Sequence, residues 1–141
     1  MTESRQDQEF DIFSLVLLRD HLLPELLQED QSEITYWAGK SIASEFQLAG
    51  INEIQNFFMS AGFGYLTNTN QKSSEQKWLL NGPVIDERLR KHPDAIFALE
   101  AGFLAQAIQQ LTNTGAEAQW DASKDSVTIT VMTEEPVDMP N

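Results

Sequence analysis

Residues 95–111 constrain the fold of this chain more than any other stretch. Seventeen residues, from Ala95 to Leu111, carry a single charge, Glu100. Apolar side chains fall on every side of the helix they predict, so no orientation offers water a polar face. Such a helix persists only when neighbours cover most of it. It is too short to span a membrane, which takes about 20 apolar residues. The chain must therefore wrap this helix, and Gly102 at its middle predicts one neighbour packed at close range.

The rest of the chain supplies the wrapping. A helical pattern starts at Phe10 and runs through Phe13, Leu17 and His21. Pro24 predicts a break or kink near Leu22-Leu23 and a further helical turn over 24–27. Asp30 or Ser32 is the expected cap of the next helix, in which Ile34, Ala38, Ile42 and Phe46 repeat at steps of four. That stripe is read as its buried face, flanked by Trp37 and Leu48, with Gly39 set for close packing. Asn52-Glu53-Ile54-Gln55 has the form of a capping box ahead of the apolar positions Ile54, Phe58 and Ala61.

Two strands are expected at 65–70 and 76–80, joined by a polar turn. Residues 86–92 form a short charged helix, and Asp94 is the expected cap of the long apolar one. Ala116, Ala118 and Trp120 alternate with polar residues, as do Val127, Ile129 and Val131, which predicts a second hairpin with one wet face. The polar ends, 1–9 and 133–141, read as disordered tails around a single domain, 10–132. Helices, hairpin, helix, hairpin give an α+β domain: a helical layer on a four-stranded antiparallel sheet.

Charge and composition narrow the function. The formal net charge is −13. Residues 1–35 hold a net of −7 and residues 112–141 a net of −5, so the central body is nearly neutral. Neither nucleic acid nor an anionic membrane is an expected partner, since both need clustered Lys and Arg. There is no cysteine, which removes disulfides, thiolate metal sites, thiol catalysis and thioester-linked lipid. No signal-peptide pattern opens the chain, so a cytoplasmic protein is expected. Phosphate-loop, dinucleotide, nucleophile-elbow and zinc-protease motifs are all missing.

Two helices carry a family resemblance. Tyr36-Trp37-Ala38-Gly39-Lys40-Ser41-Ile42-Ala43-Ser44-Glu45-Phe46 resembles the Y-x-x-G-x-x-[LI]-A-x-x-[FL] helix of the superfamily that joins vinyl-reductase-type ligand-binding domains with the small TRAPP-complex subunits. Leu99-Glu100-Ala101-Gly102-Phe103-Leu104-Ala105-Gln106 resembles its E-x-G-F-x-x-[GQ] helix. Within that superfamily the chain is most similar to the YslB-like bacterial proteins, over roughly residues 10–132. The resemblance implies a pocket between helices and sheet, commonly for a small hydrophobic ligand, and a tendency to dimerise. Some relatives hold an acyl chain or a metal through cysteines, which this chain lacks. Neither His21 nor His92 lies in a matched motif, so haem is not expected, nor is any other cofactor or metal.

The candidate ligand-contacting residues are Trp37, Phe46, Phe58, Phe97, Glu100 and Phe103. The same aromatics also fit plain core, the commoner use of an aromatic set at helical spacing. Glu100 is either a buried carboxylate for a polar ligand group or a partner's cation, or a helix-edge residue paired with Arg88 or Arg90 or solvated. Gly39 and Gly102 are read as helix-packing positions. Arg88, Arg90, Lys91 and His92 form the one basic cluster, balanced by Asp86 and Glu87. The expected function is a non-enzymatic binding module, probed as two alternatives: a pocket for a small hydrophobic ligand, or a homodimerising interaction adaptor with a filled core.

Overall fold

The computed structural model describes residues 12–141. The expected tail at 1–9 and the helix start at Phe10 lie outside the described residues. The first helix, α1, occupies residues 12–27, and its middle, Leu17–Leu22, winds as a π-helix. The wide turn sits where the break at Pro24 was expected. Leu23 N–H reaches back five residues to Leu18 O, and Pro24, which has no N–H to give, follows in the first turn of the resumed α-helix. A 3₁₀ turn, Gln28–Asp30, leads into α2, Gln31–Ala43, and α3 follows over Ile51–Ser60.

The first hairpin pairs β1, Tyr65–Lys72, with β2, Glu75–Asn81. Helix α4 spans Pro83–Lys91, and the long apolar helix, α5, spans Ala98–Thr112. Asn113, at φ 55°, closes α5 in the left-handed region. The chain then forms β3, Ala116–Ala122, and β4, Val127–Thr133. Sheet order is β1-β2-β4-β3, antiparallel throughout. Trp78, Leu80, Ile129 and Val131 point inward and are fully buried. The opposite face carries Lys77, Thr128, Thr130 and Met132, as the period-two pattern of the second hairpin anticipates.

Helix α5 is the centre of the molecule. It lies between α2 and the sheet, and Ala101, Phe103, Leu104, Ala105 and Ile108 are fully buried. The two glycines explain how α2 approaches it. A Cβ on Gly39 would strike Leu99 O and Phe103 N, and one on Gly102 would strike Tyr36 O. Each glycine therefore receives the backbone of the other helix.

That contact overturns the expected face of α2. The buried positions are Gln31, Thr35, Gly39 and Ala43, one step round from the stripe at Ile34, Ala38 and Ile42. Backbone approach demands small side chains at the interface, so the larger ones turn away. Ile34 is 45% exposed and Ile42 40% exposed. Asp94 does not cap α5, which begins four residues later; residues 95–97 run irregularly and bury Ala95 and Phe97 beforehand.

The segment 133–141, expected as a disordered tail, lies against the body of the domain. Val137 N–H bonds Ser73 O, Gln71 Nε2 donates to Val137 O, and Met139 packs on the core. Pro140 O and Asn141 O accept the N–H groups of Ile51 and Asn52 at 2.8 and 3.1 Å. The strap thus supplies acceptors to the first turn of α3 that the expected Asn52 capping box does not.

Candidate functional site

Four charged side chains meet in the interior where α1, α4 and α5 converge. Each sits on the apolar stripe of its helix. Arg88 shares the inner face of α4 with Val84, Ile85 and Leu89. Asp20 lies one step of four beyond buried Val16. Glu100 belongs to the all-apolar α5, and Arg19 is drawn in beside Asp20 by the π-helical turn.

The Arg88 guanidinium is clamped on every edge. Its Nε and Nη2 donate to Asp20 Oδ2 and Oδ1 at 2.9 and 2.7 Å. Nη1 donates to Glu100 Oε2 at 3.0 Å, and Nη2 also reaches Ile96 O at 3.1 Å. Its flat face lies 4.2 Å from the Phe97 ring centroid. Glu100 Oε1 accepts from Arg19 Nη2 at 2.7 Å. Two cations and two anions therefore cancel inside a nearly dry site, the condition under which buried charge is tolerated.

Burial by itself would push the Glu100 carboxyl up, but the positive charges of Arg19 and Arg88 outweigh it and hold the group below the usual carboxylate range. Burial likewise works against the Arg88 cation, and Glu100 and Asp20 more than restore it. Each Glu100 oxygen already accepts from a guanidinium, so the cluster holds structure together and offers no free group to a ligand. A small cleft of about 150 Å³, lined in part by Asp20, Gln31, His92 and Asp94, opens beside it.

The six candidate contact residues are not gathered around one space. Phe46, Phe58 and Phe103 join Phe57 and Phe63 in a ring-to-ring cluster. Phe57 stacks on Phe103 at 4.4 Å, and Phe58 meets Phe63 at 5.2 Å and Phe103 at 5.7 Å. Phe97 stands apart, between Arg88 and the Trp120 ring at 5.7 Å. Trp37 is 72% exposed on α2, away from that cluster. Of the two readings of Glu100, the pair with Arg88 is the one formed, though fully buried and not at a helix edge. The basic cluster on α4 is divided: Arg90 and Lys91 pair with half-buried Glu87, while Arg88 turns inward.

Asp20 and Arg19 were missed as partners. The available signal was a charge standing on an apolar helical stripe, repeated at Asp20, Arg88 and Glu100. A second polar link joins α2 to the edge of the sheet. Tyr36 Oη donates to Glu117 Oε2 at 2.7 Å and accepts from Ala118 N–H at 2.9 Å, while Lys40 pairs with Glu117. Burial pushes the Tyr36 hydroxyl up to about 12, and Glu117 adds to the shift. Inside the core, Gln76 accepts from Trp78 Nε1 at 3.0 Å, while its own Nε2 lacks a partner among the described residues.

Helices laid on one face of a four-stranded antiparallel sheet, locked by paired glycines and a buried charge quartet, define a two-layer α+β domain. The chain belongs to the family described as Protein of unknown function (DUF2507), whose profile matches residues 12–132. It is 37% identical over 131 residues to the Uncharacterized protein YslB of Bacillus subtilis (strain 168), spanning 92% of this chain and 88% of that protein. The expected similarity to the YslB-like bacterial proteins is thus borne out.

Among solved structures, a vinyl-4-reductase family protein from Methanocaldococcus jannaschii superposes with a TM-score of 0.53 at 19% identity, covering 97% of this chain and 85% of that one. The phenol-responsive sensory domain of the transcription activator PoxR, solved with phenol, superposes with a TM-score of 0.57 at 10% identity, covering 86% and 74%. At these identities the likeness establishes the fold alone. Among the described residues no helix is long and apolar enough to cross a membrane, and no three His, Asp or Glu side chains group to hold a metal.

Proposed function

We propose that this chain is a cytoplasmic, non-enzymatic interaction module that pairs with a second copy of itself through its helical layer. The observation that carries this reading is where the large apolar side chains lie. The interior is filled by contacting phenylalanine rings and a satisfied charge quartet. The outside of the helical layer instead presents Leu18, Leu22 and Leu26 on α1 and Ile34 and Ile42 on α2, each at least 40% exposed. Apolar side chains repeated at steps of four on exposed helix faces mark an association surface. A stable pairing needs about 800 Å² from each partner.

Light scattering and native mass spectrometry at high micromolar concentration test it. The expected result is a dimer that the double variant Leu22→Asp, Ile42→Asp converts to a folded monomer. A wild-type monomer under those conditions overturns the reading.

A second reading rests on a groove of about 660 Å³ at the junction of α1, α3 and the start of β1. Ile12, Leu15, Met59, Tyr65 and Val84 line it, and its volume suits a small organic molecule. The phenol-responsive domain that shares the fold supports this reading. A bound small molecule retained in native mass spectrometry, and lost with Met59→Lys, would favour it. A bare protein mass without response to added phenol would remove it.

A further inference from the structure

Two strands form the edges of the sheet, and only one is protected. β1 is bulged between Asn68 and Asn70 and ends in Lys72, two devices that discourage another strand from adding on. β3 has neither: it holds no lysine or proline and pairs with β4 in unbroken register.

The direction of its outer hydrogen-bonding groups follows from the ladder. Ser123 N–H bonds Ser126 O at 2.8 Å, and Glu134 N–H bonds Gly115 O at 2.9 Å. Residues 115 and 123 therefore face β4. By alternation, the N–H and C=O groups of Ala116, Ala118, Trp120 and Ala122 point outward. Gln109 Oε1 covers the first of these amides at 3.2 Å and Tyr36 Oη the second at 2.9 Å. Among the described residues, the amides of Trp120 and Ala122 have no partner.

Beside this open edge runs a groove of about 710 Å³ between α2 and β3. Trp37 and Trp120 form its apolar walls, and Glu33 and Glu117 its charged ones. Among the described residues no cation lines it, and Lys40 close by is already tied to Glu117. Exposed Asp121 adds a further negative charge along the strand. Pairing of β3 with its own copy would set these carboxylates against one another, which disfavours a second copy as the occupant. The complementary partner is a basic one.

We propose that β3 accepts an extended, basic segment of another protein as a fifth strand. Main-chain bonds form with Trp120 and Ala122, an apolar side chain seats against Trp37 and Trp120, and lysine or arginine faces Glu33 and Glu117. Strand addition of this kind draws affinity from the main chain and specificity from alternate side chains. It uses a different surface from helical pairing, so either can fail alone.

The test titrates the ¹⁵N-labelled whole chain with an acetylated, amidated Lys-Val-Lys-Val-Lys-Val peptide. Two controls accompany it: the Glu-Val analogue, and the Lys-Val peptide N-methylated at alternate residues. Saturable binding is expected for the plain Lys-Val peptide alone, with the largest shifts at the Trp120 and Ala122 amides. Trp37→Ala should weaken it roughly tenfold, as loss of an exposed aromatic anchor does. The Leu22→Asp, Ile42→Asp variant should bind as the wild type does, whatever its oligomeric state. No saturation by about 1 mM, a limit corresponding to only about −4 kcal/mol, overturns the proposal. So does equal binding of either control, or an unchanged affinity in Trp37→Ala.

Discussion

Replacing Arg88 with methionine should cost the fold about 4 kcal/mol at neutral pH. Methionine keeps most of the aliphatic stem, so little of the loss is cavity. What disappears is the clamp on Asp20, the bond to Glu100, the bond to Ile96 O and the contact with Phe97. Glu100 retains Arg19, whereas Asp20 is left buried without a cation. Breaking a buried ion pair on one side costs about 3–5 kcal/mol.

Urea unfolding at pH 7, followed by far-ultraviolet circular dichroism and tryptophan fluorescence, measures this loss. With a slope of about 2 kcal/mol/M, the midpoint at pH 7 should fall by about 2 M. A loss below about 1 kcal/mol would refute the electrostatic account.

Three other expectations can be checked with the same unfolding assay. Gly39→Ala and Gly102→Ala each drive a methyl into the opposing helix backbone, and each should cost about 3 kcal/mol, the upper range for overpacking. Phe103→Ala should cost about 3–5 kcal/mol, while Trp37→Ala should stay within about 0.5; comparable losses at both sites would contradict the filled aromatic core. Tyr36 has a folded pKa of about 12 against an ordinary 10.0, so its contribution is complete below pH 10 and fades as the pH rises toward 12. Tyr36→Phe should flatten that alkaline loss, and an identical alkaline slope in the variant would count against the link to Glu117 and Ala118.

Local patterns were the legible part of this fold. The alternation at 116–120 and 127–131 predicts β3 and β4 because a half-buried strand writes its two faces into every second residue. The uncharged run at 95–111 predicts a wrapped helix for a similarly local reason. The face of α2 was not legible in the same way. Its apolar stripe at Ile34, Ala38 and Ile42 obeys the helical period, yet the glycine contact with α5 rotates that stripe outward. Hydrophobic periodicity reports which residues share a face. It does not report which neighbour claims it.

The site divides along the same line. That Gly39 and Gly102 served close packing could be read from residue type and position alone, whereas Glu100 stayed open between a ligand contact, an ion pair and solvation. That Arg88 turns inward, away from Arg90 and Lys91, depends on α4 packing its Val84, Ile85 and Leu89 stripe into the core. That Asp20 and Arg19 complete the quartet depends on a π-helical turn bringing residues 68 and 81 positions distant in the chain to within a hydrogen bond. The sequence by itself determined the kinds of elements, their order and the charge each carries, because these follow from neighbours along the chain. Only the tertiary structure decided which faces meet, which charges are buried and which strand edge stays open, because those are settled by backbone approach between segments far apart in sequence.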